Sequence, residues 1–293
     1  MPMFVYISEY FSKCNSKSIL KKVYIYLIWQ TIYFCTYKFL VKENIEIKAL
    51  LSPIKIMWYI YALVFWELII LIRPLRKIKF LEDRPILIIL ISFALSLGCG
   101  FIDSIGNDYA VSRVITFFPY FLIGYLQRNK NLNILKAEST WQKNKYKIII
   151  YAIMGILSTI YFIFNINAKN ERCLYGAFSY KHMGYDIYFK LMWIFSSLSI
   201  MFVLNNIVSS KKIKLISSIG SNTINIYLVH GIIVKIINMH KFKIFIGNEI
   251  SNIFICFAIA LLLVLILGNN YVKKLLLPLT NIDFFINKKK QND

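Results

Sequence analysis

The chain has 293 residues, of which 58% are hydrophobic and only 17% are charged. With a mean hydropathy of +0.59, this composition argues against a soluble enzyme and indicates a multi-pass helical membrane protein. The formal net charge of +21 would suit a nucleic-acid partner. However, most of the basic residues lie in short loops between apolar runs and no nucleic-acid-binding motif accompanies them, so we expect no nucleic acid.

Apolar runs separated by short polar loops divide the chain along its whole length. The first run, residues 2–11, is too short to cross a bilayer alone, because a spanning helix needs about 20 apolar residues. We predict an all-α polytopic membrane helical bundle in a single domain, residues 1–293, with about eight full spans after a partial N-terminal helix. The predicted spans are residues 23–40, 54–72, 85–101, 113–127, 148–166, 186–208, 222–238 and 250–267.

The distribution of Lys and Arg predicts the orientation of these spans. Alternate loops hold 23 of the 35 basic residues, and the connections between them hold the other 12, many beside acidic residues. Because loops rich in Lys and Arg stay on the cytoplasmic side, we expect a cell-membrane (plasma or inner membrane) protein with residue 1 outside and the C-terminus in the cytoplasm. The predicted cytoplasmic loops are residues 13–22, 73–84, 128–147, 211–214 and 273–290.

The stretch RVITFFPYFLIGYLQ, residues 113–127, carries an arginine near its start and a proline in its middle. Both are costly in lipid, since an arginine at mid-membrane costs about 2.5–3.5 kcal/mol on insertion scales and a proline frees a carbonyl. One interpretation is that Arg113 extends to the headgroups. The other is that it faces a polar cavity and binds a charged or carbonyl-bearing ligand.

His230, in SNTINIYLVHG, is the strongest candidate for chemistry within an apolar run. An imidazole exchanges protons near neutral pH, which suits acid–base catalysis. Helical spacing puts Thr223, Tyr227 and His230 on one face, so we expect the Tyr227 hydroxyl near the imidazole, with Asn222 and Asn225 supplying further hydrogen bonds. The alternative is a histidine that only links neighbouring helices.

Other polar residues are expected to have no chemical role. We predict that Glu9 lies at a water-exposed helix end, and that Trp66 and Glu67 meet the membrane interface. His182 and His240 fall in outer loops, and the five cysteines are scattered without metal-ligand spacing. No phosphate-binding glycine loop, HExxH, GxSxG or paired-carboxylate motif is present, so we predict no bound metal and no serine nucleophile.

Four segments, in a fixed order with apolar spans between them, resemble acyltransferase family 3, and most closely its fucose 4-O-acetylase-like branch. They are MPMFVYISEYF, WYIYALVFWELI, RVITFFPYFLIGYLQR and IGSNTINIYLVHG. The resemblance covers essentially the whole chain. It implies about ten helices, an acyl-CoA donor such as acetyl-CoA reached from the cytoplasm, and a carbohydrate acceptor. It implies no bound cofactor.

The resemblance also implies which residues act. Arg113 matches the arginine before the family's FFPFF-like segment, and Tyr227 and His230 match its late YLLH-like motif. In the complete family the base is expected upstream, so His230, supported by Tyr227, is the best remaining proton-handling group in this chain. Arg113 is expected to hold either the donor's phosphates or the oxyanion. The expected substrate-binding residues are Ser8, Trp58, Tyr120 and Asn222.

The chain departs from the family at its beginning. Glu9 follows Ser8 where the family has glycine. In the family, a helix before the first motif carries an arginine and the histidine regarded as catalytic, whereas this chain begins at that motif. Three explanations are open: the chain is a fragment, its start was assigned too late, or it is a degraded copy.

Three functions fit these observations. The first is a membrane O-acyltransferase, most simply an O-acetyltransferase, acting on a cell-surface polysaccharide or lipid-linked sugar. The second is a non-catalytic glycan exporter or inactive scaffold, which the absent upstream helix favours. The third is an O-antigen polymerase-like protein, which normally has a large outer loop. The ordered motifs favour the first.

Overall fold

The computed structural model shows a helical protein. It describes residues 1–12, 14–44, 46–71, 84–103, 105, 108–129, 141–165, 174–176, 179–207, 213–239 and 249–283. Within these ranges all regular structure is helical, which confirms the predicted all-α bundle. The described parts contain twelve α-helices: α1 Pro2–Phe11, α2 Ser16–Cys35, α3 Trp58–Leu71, α4 Pro85–Cys99, α5 Val111–Arg128, α6 Trp141–Asn165, α7 Tyr180–Met183, α8 Ile187–Ile207, α9 Lys214–Ser221, α10 Thr223–Met239, α11 Glu249–Leu267 and α12 Asn270–Thr280.

Two or three of the described helical stretches have the dimensions of membrane spans. Among the described residues, two helical stretches, Ile47–Leu71 and Ile187–Ile207, are each long and apolar enough to cross a bilayer. A third candidate is Ser251–Leu267 with Asn270–Thr280, a pair bent by 73°. Shorter apolar helices are Pro85–Cys99, Ile148–Tyr161 and Thr223–Ile237. The helices follow the predicted apolar runs, and by this criterion fewer than eight qualify as spans.

The helix boundaries differ from the prediction where basic residues occur. Helix α2 begins at Ser16, so Lys17, Lys21 and Lys22 are helical instead of forming a loop. Helix α12 lies in the segment predicted as a basic tail. Its start is stabilised by Asn269, whose side-chain oxygen accepts the Tyr271 backbone N–H at 3.1 Å. Most of the other basic loops fall outside the described residues, at 72–83, 130–140, 208–212 and 284–293.

The chain divides into two compact units. Unit 1 is Met1–Ser18 with Ala62–Ser210, and unit 2 is Ile19–Tyr61 with Lys211–Asp293. Unit 1 therefore contains α1, α4 to α8 and most of α3. Unit 2 contains most of α2 and α9 to α12. Each unit is assembled from sequence segments that are distant along the chain.

Helix α5 forms the centre of unit 1. Phe117, Tyr120 and Phe121 on this helix are fully buried. Helix α1 lies directly against α5 because Gly124 has no side chain: a Cβ there would come within 2.5 Å of the Tyr6 carbonyl oxygen. The stretch that combined arginine and proline in the sequence is thus the packing core of its unit.

The C-terminal end of α4 is held by two side chains from other segments. Lys190 donates from Nζ to the Ser96 carbonyl oxygen at 2.5 Å, and the Tyr180 hydroxyl donates to Leu97 O at 2.9 Å. The Tyr180 backbone N–H also donates to Gly100 O at 2.8 Å. Burial, and then the nearby Cys99, raise the pKa of Tyr180 to about 12, so its hydroxyl stays a donor. These bonds satisfy carbonyls that a helix end leaves without partners.

In unit 2, a buried glutamine shapes the segment before α3. The Gln30 side-chain amide donates to Ser52 O at 2.6 Å, and its oxygen accepts the Ile54 backbone N–H at 3.1 Å. A 3₁₀ turn, Lys55–Met57, then leads into α3. The Gln30 side chain thereby holds the segment that leads into the 3₁₀ turn, which lies near His230 of α10.

Candidate functional site

His230 lies on α10 in unit 2, partly buried. Its Nδ1 is 3.0 Å from the carbonyl oxygen of Ile226, one helical turn earlier. A carbonyl can only accept, so in the neutral imidazole Nδ1 carries the proton and Nε2 carries the lone pair. The helix itself therefore fixes the tautomer in which Nε2 can act as a base.

Tyr227 packs beside the imidazole, but its hydroxyl, which the sequence analysis expected near the imidazole, bonds to another group. The two ring centroids are 5.8 Å apart, and the Tyr227 ring also meets Tyr59 edge-on at 5.4 Å. The hydroxyl donates instead to the Ile56 carbonyl oxygen. The reason is that the 3₁₀ turn before α3 lies against α10 and presents this carbonyl to the tyrosine.

The close approach of that turn depends on Gly231, the residue after the histidine. A Cβ at this position would lie 2.5 Å from the Tyr33 hydroxyl oxygen and 2.9 Å from the Ile56 Cδ1. Tyr33 is fully buried and donates to the Leu228 carbonyl oxygen at 2.9 Å. The absence of a side chain at Gly231 thus brings two neighbouring segments against the histidine helix.

Asn222 is fully buried at the start of α10. Its side-chain N–H donates at 2.7 Å to the carbonyl oxygen of Gly268, where α11 turns into α12. This bond joins the start of the histidine helix to the bend. Neighbouring Asn225 is also buried, and in the described part of the chain neither side-chain oxygen accepts a hydrogen bond. A substrate-binding role for Asn222 stays a prediction.

Trp58 and Tyr120 are both buried aromatic residues. Trp58 begins α3 and meets the Tyr59 ring edge-on at 6.1 Å in unit 2. Tyr120, in unit 1, lies between the Phe93 and Trp193 rings at 5.5 and 6.2 Å. These contacts give both side chains a packing role, and their substrate-binding roles stay predictions.

Arg113 and Ser8 belong to unit 1. Arg113 is partly buried in the first turn of α5, directly after Ser112, whose hydroxyl donates to Gly176 O at 2.8 Å. Ser8 is partly buried on α1 and donates to Val5 O at 2.8 Å. The predicted site residues thus divide between the two units, with Trp58, Asn222, Tyr227 and His230 in unit 2 and Ser8, Arg113 and Tyr120 in unit 1.

The carboxylate of Glu9 was predicted wrongly by the sequence analysis, because Glu9 is 0% exposed and not at a water-exposed helix end. Glu67 is also 0% exposed, and its position at the membrane interface stays a prediction. Glu67 accepts the Ser12 hydroxyl at 3.0 Å, and the Cβ of Glu9 is 3.3 Å from where a Cβ on Gly124 would stand. The sequence signal was the glycine, which allows close packing of α1 on α5.

The histidines and cysteines were also considered as ligands of a metal ion. Among the described residues no group of three or more His, Cys, Asp or Glu could hold a metal ion. Among the described residues, Cys14, Cys35, Cys99 and Cys256 are not in disulfide bonds. Cys173 and His240 lie outside the described residues.

Comparison with known proteins gave one match. A protein-family model described as "Acyltransferase domain", for acyltransferase family 3, matches residues 1–269. No curated protein and no solved structure matches the chain. The matched range includes every residue predicted to act in catalysis or substrate binding.

Proposed function

The chain belongs to acyltransferase family 3, and on that basis we propose that it is a membrane O-acyltransferase of envelope glycans. In this proposal an acetyl or similar short acyl group passes from acyl-CoA to a hydroxyl of a cell-surface polysaccharide or lipid-linked sugar. The family match over residues 1–269 is the observation that carries it. The fixed tautomer of His230 supports it, because acyl transfer to a hydroxyl needs a base.

The reaction assigns one task to each nitrogen of the imidazole. Nε2 of His230 accepts the proton of the acceptor hydroxyl while the hydroxyl oxygen bonds to the thioester carbonyl carbon. The tetrahedral intermediate then collapses, the carbon–sulfur bond breaks, and the leaving sulfur takes the proton from Nε2. Nδ1–H keeps its bond to Ile226 O throughout, and Tyr227 packs against the ring and limits its rotation.

Arg113 has the electrostatic properties of an anion-binding residue. It lies in the first turn of α5, where the helix dipole already contributes partial positive charge. The dipole therefore does not stabilise the arginine's own charge. Both charges favour an anion placed at this helix start. We assign Arg113 to an anionic group that is bound or formed during acyl transfer.

The positive-inside pattern extends the proposal to location and orientation. The protein would lie in the plasma or inner membrane with its C-terminus in the cytoplasm, where acyl-CoA is available. The acceptor glycan would be presented on the outer side. This orientation is tested by introducing single cysteines at the ends of α10 and α12 and labelling them with a membrane-impermeant reagent.

The proposed function is tested by measuring acyl transfer directly. Proteoliposomes holding the purified chain receive acetyl-CoA labelled in the acetyl group together with an envelope polysaccharide, and O-acetyl label on the glycan and free coenzyme A thiol are both measured. We expect equal amounts of the two products, and thiol release that depends on the glycan. A chain that neither binds labelled acyl-CoA by photocrosslinking nor releases thiol would instead be an exporter or a scaffold.

A further inference from the structure

A lysine with a strained backbone lies next to the residues that pack around His230 in unit 2. Lys55, the first residue of the 3₁₀ turn, has a backbone φ of +50°, in the left-handed region that non-glycine residues rarely adopt. Such a conformation costs free energy and persists only where surrounding contacts hold it, often at binding sites. Its side chain is exposed, and its Nζ lies 5.7 Å from the centre of the Tyr37 ring.

A second lysine reaches the same ring from α10. Lys235 places Nζ 5.2 Å from the Tyr37 ring centre and forms an ion pair with Glu43 at 2.5 Å. The ring itself is 3% exposed, so the lysines and not the aromatic surface are available to a ligand. Within the described residues Lys55 has no carboxylate partner, and so the pair of lysines carries a net positive charge.

Both lysines are close in sequence to residues that contact the His230 segment. Lys55 precedes Ile56, whose carbonyl oxygen accepts the Tyr227 hydroxyl and whose side chain lies against Gly231. Lys235 is one helical turn beyond Gly231 on the same helix. The strained turn therefore holds a cation next to the residues that pack around the imidazole.

We propose that Lys55 binds a carboxylate of the acceptor glycan, so that the acceptor is an acidic, uronate-type sugar. This inference rests on the proposed function and adds the acceptor's chemistry. An anion is favoured because Lys55 has no carboxylate partner among the described residues, and Tyr37 holds both lysines in position by cation–π contact. The proposed orientation puts this turn on the outer side, where a carboxylate comes from the acceptor and not from the phosphates of the donor.

The test compares two acceptors that differ only in charge. Proteoliposomes holding the full chain transfer labelled acetyl from acetyl-CoA to a hexuronate-containing oligosaccharide or to the same oligosaccharide with its carboxyls reduced. We expect Lys55→Met to raise KM for the acidic acceptor about tenfold, which corresponds to about 1.4 kcal/mol, with kcat changed less than twofold. The reduced acceptor should show no change, and Lys55→Arg should restore most of the affinity for the acidic one.

Lys42 provides the matched control. It is also exposed, has a φ of +55° and lies in the segment joining α2 and α3, but in the described part of the chain no aromatic contact links it to the residues around His230. Lys42→Met should therefore leave both KM values unchanged. Equal KM for the acidic and reduced acceptors in the unmodified chain, or a Lys55→Met effect on KM for acetyl-CoA instead, would overturn the assignment.

Binding of the acidic oligosaccharide, measured by calorimetry without donor, separates this inference from the proposed function. Tighter binding to the unmodified chain than to the Lys55→Met variant supports the carboxylate site even if no acetyl is transferred. Acetyl transfer combined with equal binding by the two proteins refutes the site and leaves the acyltransferase function intact.

Discussion

Replacing Gly231 with alanine tests how the site is held together. The new Cβ would lie 2.5 Å from the Tyr33 hydroxyl oxygen, well inside contact distance, and would force the buried tyrosine to move. Overpacking of this kind costs about 2 kcal/mol, and losing the Tyr33 bond to Leu228 O costs about 2 kcal/mol more. Alanine returns about 1 kcal/mol in helix propensity. We expect a net loss of about 3 kcal/mol.

The assay is thermal unfolding of the purified chain in detergent, where this loss should lower Tm by about 6 °C or more. The same substitution in a Tyr33→Phe background should cost about 1 kcal/mol or less, because the oxygen that meets the Cβ is gone. Gly220→Ala is the control, since a Cβ there meets nothing within 4 Å. The reasoning is refuted if Gly231→Ala is as stable as the unmodified chain, or loses as much stability with phenylalanine at position 33.

Two further substitutions test unit 1. Lys190→Met removes the amine that caps Ser96 O and should cost about 1–3 kcal/mol, seen as a lower Tm, whereas Lys181→Met, at an exposed 3.9 Å ion pair, should leave Tm unchanged. Equal Tm for both variants would contradict the capping role. Arg113→Met should lower kcat for acetyl transfer about 100-fold at unchanged Tm, while Arg128→Met at the other end of α5 should retain activity. Full activity of Arg113→Met would remove this residue from the mechanism.

Apolar periodicity and length sufficed to predict most of the long helices, because membrane helices are specified by composition over long stretches. The predicted face of α10 was right as well, since Tyr227 and His230 are adjacent. What helical spacing does not encode is the partner of a side chain. The Tyr227 hydroxyl bonds to Ile56 O, which lies 171 residues earlier in the chain, and only tertiary packing brings it there.

Glu9 is a second case in which tertiary packing, and not the local sequence, decides the environment of a side chain. A carboxylate near the end of a short apolar run is normally solvated, and by that rule Glu9 was expected in water. The close packing of α1 on α5 at Gly124 removes it from solvent instead. The glycine at this helix crossing is therefore the more informative residue, because it indicates the close packing that buries Glu9.

The helix α12 was missed for a related reason. The charges of Lys273 and Lys274 are typical of a cytoplasmic tail, and the segment was predicted as one. The capping bond of Asn269 and the buried Leu276 identify a helix that packs at its apolar side. The charge count predicted which side of the membrane the segment prefers, while the local capping pattern determined its structure.

The central claim is that Nε2 of His230 takes the proton from the acceptor hydroxyl. The most direct measurement is kcat for labelled acetyl transfer from acetyl-CoA to glycan by the His230→Gln variant, with His182→Gln, at an exposed histidine of α7, as the control. We predict that His230→Gln lowers kcat at least 100-fold with acetyl-CoA binding unchanged, and that His182→Gln has no effect. Transfer by His230→Gln at the rate of the unmodified chain would contradict the account.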